Sequence, residues 1–185
     1  MTMVYSLKRL MKIARLQYRR RQAARTWGQE ALQSAPAVFG NAMPKAGSHL
    51  LIQILLGLTD IGPFVNPGFP PVNRFEDNSP LDKPAVVKEI ERMRPGDIRY
   101  GYLPFDEPYS TILTSPGYAV VFIYRDPRDL LVSHVFYAVD MYEEHGMHSY
   151  YTDELDSMEA RLNVAIEGIR EPGLGLPSVL DRYER

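Results

Sequence analysis

Apolar positions near the N-terminus recur at helical spacing. Leu7, Leu10, Met11, Ala14 and Tyr18 step by threes and fours with lysines and arginines between them, which predicts an amphipathic helix over 6–27. The pattern then shortens. PAVFGNAM (36–43) is an unbroken apolar run that predicts a short buried strand, and SHLLIQILLGL (48–58) predicts a buried helix with Ser48 as its cap. Strand, glycine loop and helix in that order is the layout by which α/β sheets bind phosphate. Prolines at 63, 67, 70, 71, 80 and 84 exclude regular structure from most of 61–84. A loop that long belongs to function or to mobility; it is placed to wall an acceptor pocket, with a plain surface loop as the alternative. A helix is expected near 84–94, ending at Pro95-Gly96, followed by a short strand in DIRYGYL (97–103). YAVVFIYR (118–125) is the clearest buried strand of the chain, β-branched and aromatic throughout. DPRD then opens a helix through LLVSHVFYAVDMY, with Asp126 as cap and Pro127 at its first position. A further helix is expected over 153–170, stopping before Glu171-Pro172-Gly173, and PSVLDRYER (177–185) begins another. Strands alternating with helices predict an α/β fold, a parallel sheet flanked by helices, here with only three strands in view.

Composition narrows this picture. The 185 residues are 45% hydrophobic and 24% charged, ordinary for a globular protein with one domain-sized core. There is no cysteine, hence no disulfide framework and no thiol chemistry. No apolar run approaches the roughly 18 residues of a membrane span, and no secretory leader is visible; a cytoplasmic location is expected. The net charge of −2 conceals an asymmetry: eight cations from Lys8 to Arg25 face no acid, so the remainder carries the acidic excess. The organisation expected is a basic helical arm over 1–30 and an α/β domain over 31–185. The arm can touch an anionic membrane or a polyanion, or pack on the domain by its apolar stripe with Trp27 as anchor. The shortness of the stripe favours packing. No nucleic-acid partner is expected, since a basic arm alone is no recognition module.

Two loops carry candidate chemistry. In PKAGSH (44–49) the backbone N–H groups of Ala46 to His49 can converge on an anion where the helix begins, assisted by the helix dipole. Gly47 permits close approach, Lys45 can place an ammonium on a bridging oxygen, and Ser48 can donate its hydroxyl. The lysine precedes the glycine, so this is not the GxxxxGK(S/T) nucleoside-triphosphate loop with its Mg²⁺ partner. At the end of the best strand stands Arg125, with Ser133 eight residues later on the following helix. A guanidinium fork and a hydroxyl can hold a second phosphate; the alternative for Arg125 is an ion pair with Asp126 or Asp129. Two phosphate-type sites on neighbouring βα turns suggest a nucleotide phosphorylated at two separated positions.

With both motifs in register, MPKAGSHLL and VVFIYRDPRDLLVSHVFY, the chain resembles the sulfotransferases that use 3′-phosphoadenosine 5′-phosphosulfate. The resemblance covers about 36–140. It implies a P-loop-like sulfotransferase core and transfer of a sulfuryl group to a hydroxyl or amine on a small-molecule, lipid or carbohydrate acceptor. It also implies that Lys45, Ala46, Gly47, Ser48 and His49 form the 5′-phosphosulfate loop, that Arg125 and Ser133 bind the 3′-phosphate, and that Lys45 stabilises the leaving oxygen. No metal is implied.

Two departures from the family stand out. Tyr102 in GYLPFDEP occupies the position where many members carry a histidine base. A phenol, titrating near 10 in free solution, is a poor base at neutral pH. It can be activated by a cation such as Lys45, or replaced by His49, Asp106 or Glu107, or the protein can bind nucleotide without transfer; Tyr102 can also simply pack with its ring in the core wall. The family's C-terminal glycine- and lysine-containing segment has no counterpart, so the domain is expected to be shortened and an oligomer is conceivable through an open sheet edge. The rivals are a non-catalytic nucleotide- or polyanion-binding protein and an ATP-dependent P-loop kinase. Glu143 to His148 also holds His145 and His148 three apart, a weak metal motif that a turn explains better.

Overall fold

The computed structural model describes residues 3–169 and 178, with side chains from residue 10 onward. The chain forms two units, Met1–Tyr124 and Arg125–Arg185.

The first unit runs α1 (Met3–Trp27), α2 (Gln29–Ser34), β1 (Ala37–Ala42), α3 (Ser48–Ile61), α4 (Lys83–Glu91), β2 (Ile98–Gly101), α5 (Tyr109–Leu113) and β3 (Tyr118–Ile123). The strands form an open three-stranded parallel sheet in the order β2-β1-β3, so the architecture is α/β. β1 is central and its side chains alternate between two cores. Phe39, fully buried, joins Val86, Ile90 and Leu113 on the side of α4 and α5. Val38 and Ala42 join Leu51 and Leu55 of α3 on the other. Gly40 faces α3 as well, where a Cβ would come within 2.5 Å of Leu55 Cδ1. The missing side chain lets α3 lie directly on the strand that leads into it.

Residues 62–82 are irregular apart from isolated bridges such as Val65 with Asp97. The prolines there act as expected, and α4 starts at Lys83 with Asp82 accepting the Ala85 N–H at 2.9 Å.

Three expectations are corrected. β3 is not the most buried strand: Val120 is 45% and Phe122 52% exposed, because β3 pairs only with β1 among the described residues. An apolar run fixes a strand's conformation but not how many neighbours cover it. α3 is likewise buried on one face only; Leu51 and Leu55 are enclosed, whereas Leu50 is 59% exposed. α1 packs on the body, but by the face opposite to the stripe that announced it. Leu10, Met11 and Tyr18 point outward, and Leu16 is the residue enclosed with Leu32 and Val65. The inward side is held by polar contacts: Lys12 to Glu76 at 2.5 Å, Arg19 to the Asn66 carbonyl at 2.6 Å, and Arg20 to Asp97 at 2.5 Å. Trp27 is 40% exposed, an incomplete anchor. α2 had no separate signal; Gly28, at φ +96°, breaks the helical run before it.

In the second unit, α6 (Pro127–Phe136) opens as expected, with Asp126 accepting the Arg128 N–H at 2.9 Å. The helical run continues as a π-helical turn over Tyr137–Met141; a second such turn covers Tyr150–Glu154, and α7 (Met158–Glu167) follows. α7 starts later than the expected 153, where Ser157 accepts the Ala160 N–H at 3.2 Å. The predicted stop at Glu171-Pro172-Gly173 and the predicted helix over 177–185 lie outside the described residues. His145 Nδ1 accepts the Met147 N–H at 3.1 Å, His148 Nδ1 lies 2.9 Å from the Ala138 carbonyl, and no group of three potential metal ligands occurs among the described residues.

Tyr151 is 1% exposed, and burial pushes its phenol up to about 12. The unfolded phenol releases its proton near 10, so Tyr151 contributes its full stability below pH 10 and loses it as pH rises towards 12. The melting temperature is expected to fall across that window, and Tyr151→Phe to flatten the fall; an unchanged pH profile in the variant contradicts the burial.

Candidate active site

In a parallel sheet all strands end on one edge. The register sets Asn41 opposite Gly101 and Ala42 opposite Ile123. Residues 43–47 and Tyr102 therefore leave neighbouring strands at the same level. Met43 to Ala46 form a tight turn in which the Ala46 N–H donates to the Met43 carbonyl at 3.0 Å. Pro44 and Lys45 are its central residues, and Lys45 sits at φ +67°. Turns of this kind reserve that position for glycine or asparagine. A lysine there costs on the order of 1–2 kcal/mol of backbone strain, which makes the position a candidate for function.

Gly47 follows at φ +106° and stands at the cap position of α3 with no side-chain cap bond. An added Cβ would meet Ile123 Cδ1 at 3.3 Å, so the loop is closed down on the end of β3. Two details of the expected cradle change. Ser48 is the first residue of α3, not its cap. The Ala46 N–H is used inside the turn, which leaves the first-turn N–H groups of Ser48, His49 and Leu50 as those without an intrahelical acceptor. No acid lies in that turn to offset the dipole. His49 is exposed.

Tyr102 is half-buried, with its ring packed against the Leu51–Leu55 cluster and edge-on to Tyr100 at 6.4 Å. Two asparagines hold the strand exit. Asn41 donates to the Leu103 carbonyl and accepts its N–H, both at 2.9 Å. Asn73 does the same for Tyr102, at 3.2 and 3.3 Å. The hydrophobic pattern marks neither, although an asparagine beside the end of an apolar strand, as at Asn41, is a usable signal. Of the alternative bases, Asp106 is pulled below the ordinary carboxylate range by its hydrogen bond from Lys83 at 2.5 Å. Glu107 is lowered by Thr111 and then Ser110. Both become weaker proton acceptors.

No family model, curated protein or solved structure matches this chain.

Arg125 and Ser133 belong to the second unit, Arg125 exposed at its first position and Ser133 half-buried on α6. Of the two ion-pair partners considered for Arg125, Asp126 is taken by Arg128, which forks onto it, Nε at 3.0 Å and Nη2 at 2.6 Å, and holds that carboxyl down to about 2. Among the described residues no helix is long and apolar enough to cross a membrane.

Proposed function

We propose that the protein is a sulfotransferase with a P-loop-like core, using 3′-phosphoadenosine 5′-phosphosulfate as sulfuryl donor to a hydroxyl or amine. The observation that carries this reading is Lys45, held in a left-handed turn at the uncapped start of α3 on the carboxyl edge of a parallel sheet. The α3 N–H groups and the Ser48 hydroxyl suit the 5′-phosphosulfate oxygens. The Lys45 ammonium suits the oxygen bridging phosphorus and sulfur. The acceptor atom attacks sulfur, the bond from sulfur to the bridging oxygen breaks, its electron pair stays on the 5′-phosphate, and the acceptor's proton passes to water. The products are a sulfated acceptor and adenosine 3′,5′-bisphosphate. Charge stabilisation and positioning supply the acceleration, and Lys45 takes the place a metal fills in phosphoryl transfer. Arg125 and Ser133 enter on the sequence motif as ligands of the 3′-phosphate, and a cytoplasmic setting goes with the same reading.

Transfer of labelled sulfate from the donor to an acceptor panel tests this; transfer of labelled γ-phosphate from ATP instead would overturn it. The packing of Tyr102 favours a wall role for its ring. Tyr102→Phe is thus expected to keep turnover within about threefold, whereas a loss of about a hundredfold makes the phenol the general base. The same packing, with the lowered carboxylates at 106 and 107, also favours a second reading, in which the protein binds the nucleotide without transferring sulfate. Tight nucleotide binding with no labelled product on any acceptor is its signature.

A further inference from the structure

We infer that the outward face of α1 is a docking surface for an anionic lipid bilayer. Its apolar residues are exposed on one side: Leu10 at 62%, Met11 at 58% and Tyr18 at 61%, with Ala14 between them. At 100° per residue, Leu10, Met11, Ala14 and Tyr18 fall within about one third of the helix circumference. Arg21 and Arg25 lie on that same arc, about one and two turns beyond Tyr18, Arg15 flanks it, and all three are exposed. No acidic residue occurs anywhere in α1.

The other side of the helix is already occupied. Leu16 is enclosed, and Lys12, Arg19 and Arg20 are bound to Glu76, the Asn66 carbonyl and Asp97. The fold itself therefore fixes which face is presented, and the ordering cost of forming an interfacial helix on a membrane is already met. Apolar side chains beside arginines are the composition of helices that lie in the headgroup region, where the apolar side sinks about 5–10 Å and the cations meet anionic lipid. Tyrosine suits the same depth.

Charge and shape choose this occupant over two others. A nucleic acid would satisfy the arginines but leave Leu10 and Met11 in water. A second copy would set the cations against each other if the helices ran parallel, and against the partner's Leu10–Met11 stripe if they ran antiparallel, so the arginines meet no anion either way.

The test is flotation of the full chain with vesicles of phosphatidylcholine alone or mixed with phosphatidylserine. Binding is expected only to the mixed vesicles, and to weaken as salt rises. Leu10→Ser with Met11→Ser, and separately Arg21→Gln with Arg25→Gln, are each expected to weaken partitioning by about tenfold or more. Melting temperatures should be unchanged, since all four side chains are exposed. No binding to the mixed vesicles overturns the inference. So does full binding by the serine variant, which would mean charge alone acts, as for any polyanion. Self-association that the same variants abolish, without vesicle binding, assigns the face to a second copy and overturns it too.

Discussion

Lys45→Ala is expected to lower sulfuryl transfer by about a hundredfold to a thousandfold, the effect of removing one group aimed at developing charge in a transition state. The melting temperature should move by no more than about 4 °C, because the half-buried side chain lies outside the two hydrophobic clusters that pack on the sheet. The turn is closed by the Ala46 N–H and the Met43 carbonyl, neither of which the substitution touches. Alanine also inherits the same left-handed backbone, so it does not relieve the strain at φ +67°. The expected signature is activity lost with fold intact, read by turnover and melting on the same preparation. Turnover within threefold of the parent would remove Lys45 from the chemistry.

The largest expected stability effect lies on the opposite edge of the sheet, at Gly96. It holds φ +79°, and a Cβ would stand 2.6 Å from Leu32 Cδ1 and 2.7 Å from the Pro63 carbonyl oxygen. The leucine end can swing away, but the carbonyl belongs to the backbone. Gly96 also donates to the Pro36 carbonyl at 3.2 Å and accepts the Val65 N–H at 2.8 Å. It thus ties the entries to β1 and β2 to the loop after α3, and moving it to relieve the clash would break those bonds. Gly96→Ala combines a left-handed penalty with overpacking and should cost about 3 kcal/mol. That corresponds to a fall of roughly 6–12 °C in melting temperature. A change below about 2 °C would contradict this packing.

The sheet was legible because its strands are short, apolar and bounded by glycine and proline. β1 and β3 fall within a residue or two of where the apolar runs placed them. What the runs could not convey was burial. The residues of β3 look as apolar as those of β1, but burial depends on neighbours that pairing supplies, and among the described residues β3 has one paired strand where β1 has two. α1 misled for a related reason. Its outward stripe is more regular in sequence than its inward one, because contacts such as Arg20 with Asp97 replace apolar packing on the buried side. At the site, the glycine and the lysine were visible, but the closing of the turn through Ala46 was not, since a main-chain hydrogen bond has no side-chain signature. The asparagine clips on Tyr102 and Leu103 join residues 29 and 62 apart in sequence, beyond the reach of local pattern.

The most direct measurement compares three ligands by calorimetric titration: adenosine 3′,5′-bisphosphate, adenosine 5′-monophosphate and ATP. The first two differ only in the 3′-phosphate. The bisphosphate is expected to bind about tenfold to a hundredfold more tightly than the monophosphate, the contribution of a charge-assisted contact. Arg125→Ala should erase that difference and leave monophosphate affinity in place. Equal affinity for the bisphosphate and the monophosphate, or preference for ATP, would contradict the assignment of this chain to sulfuryl transfer.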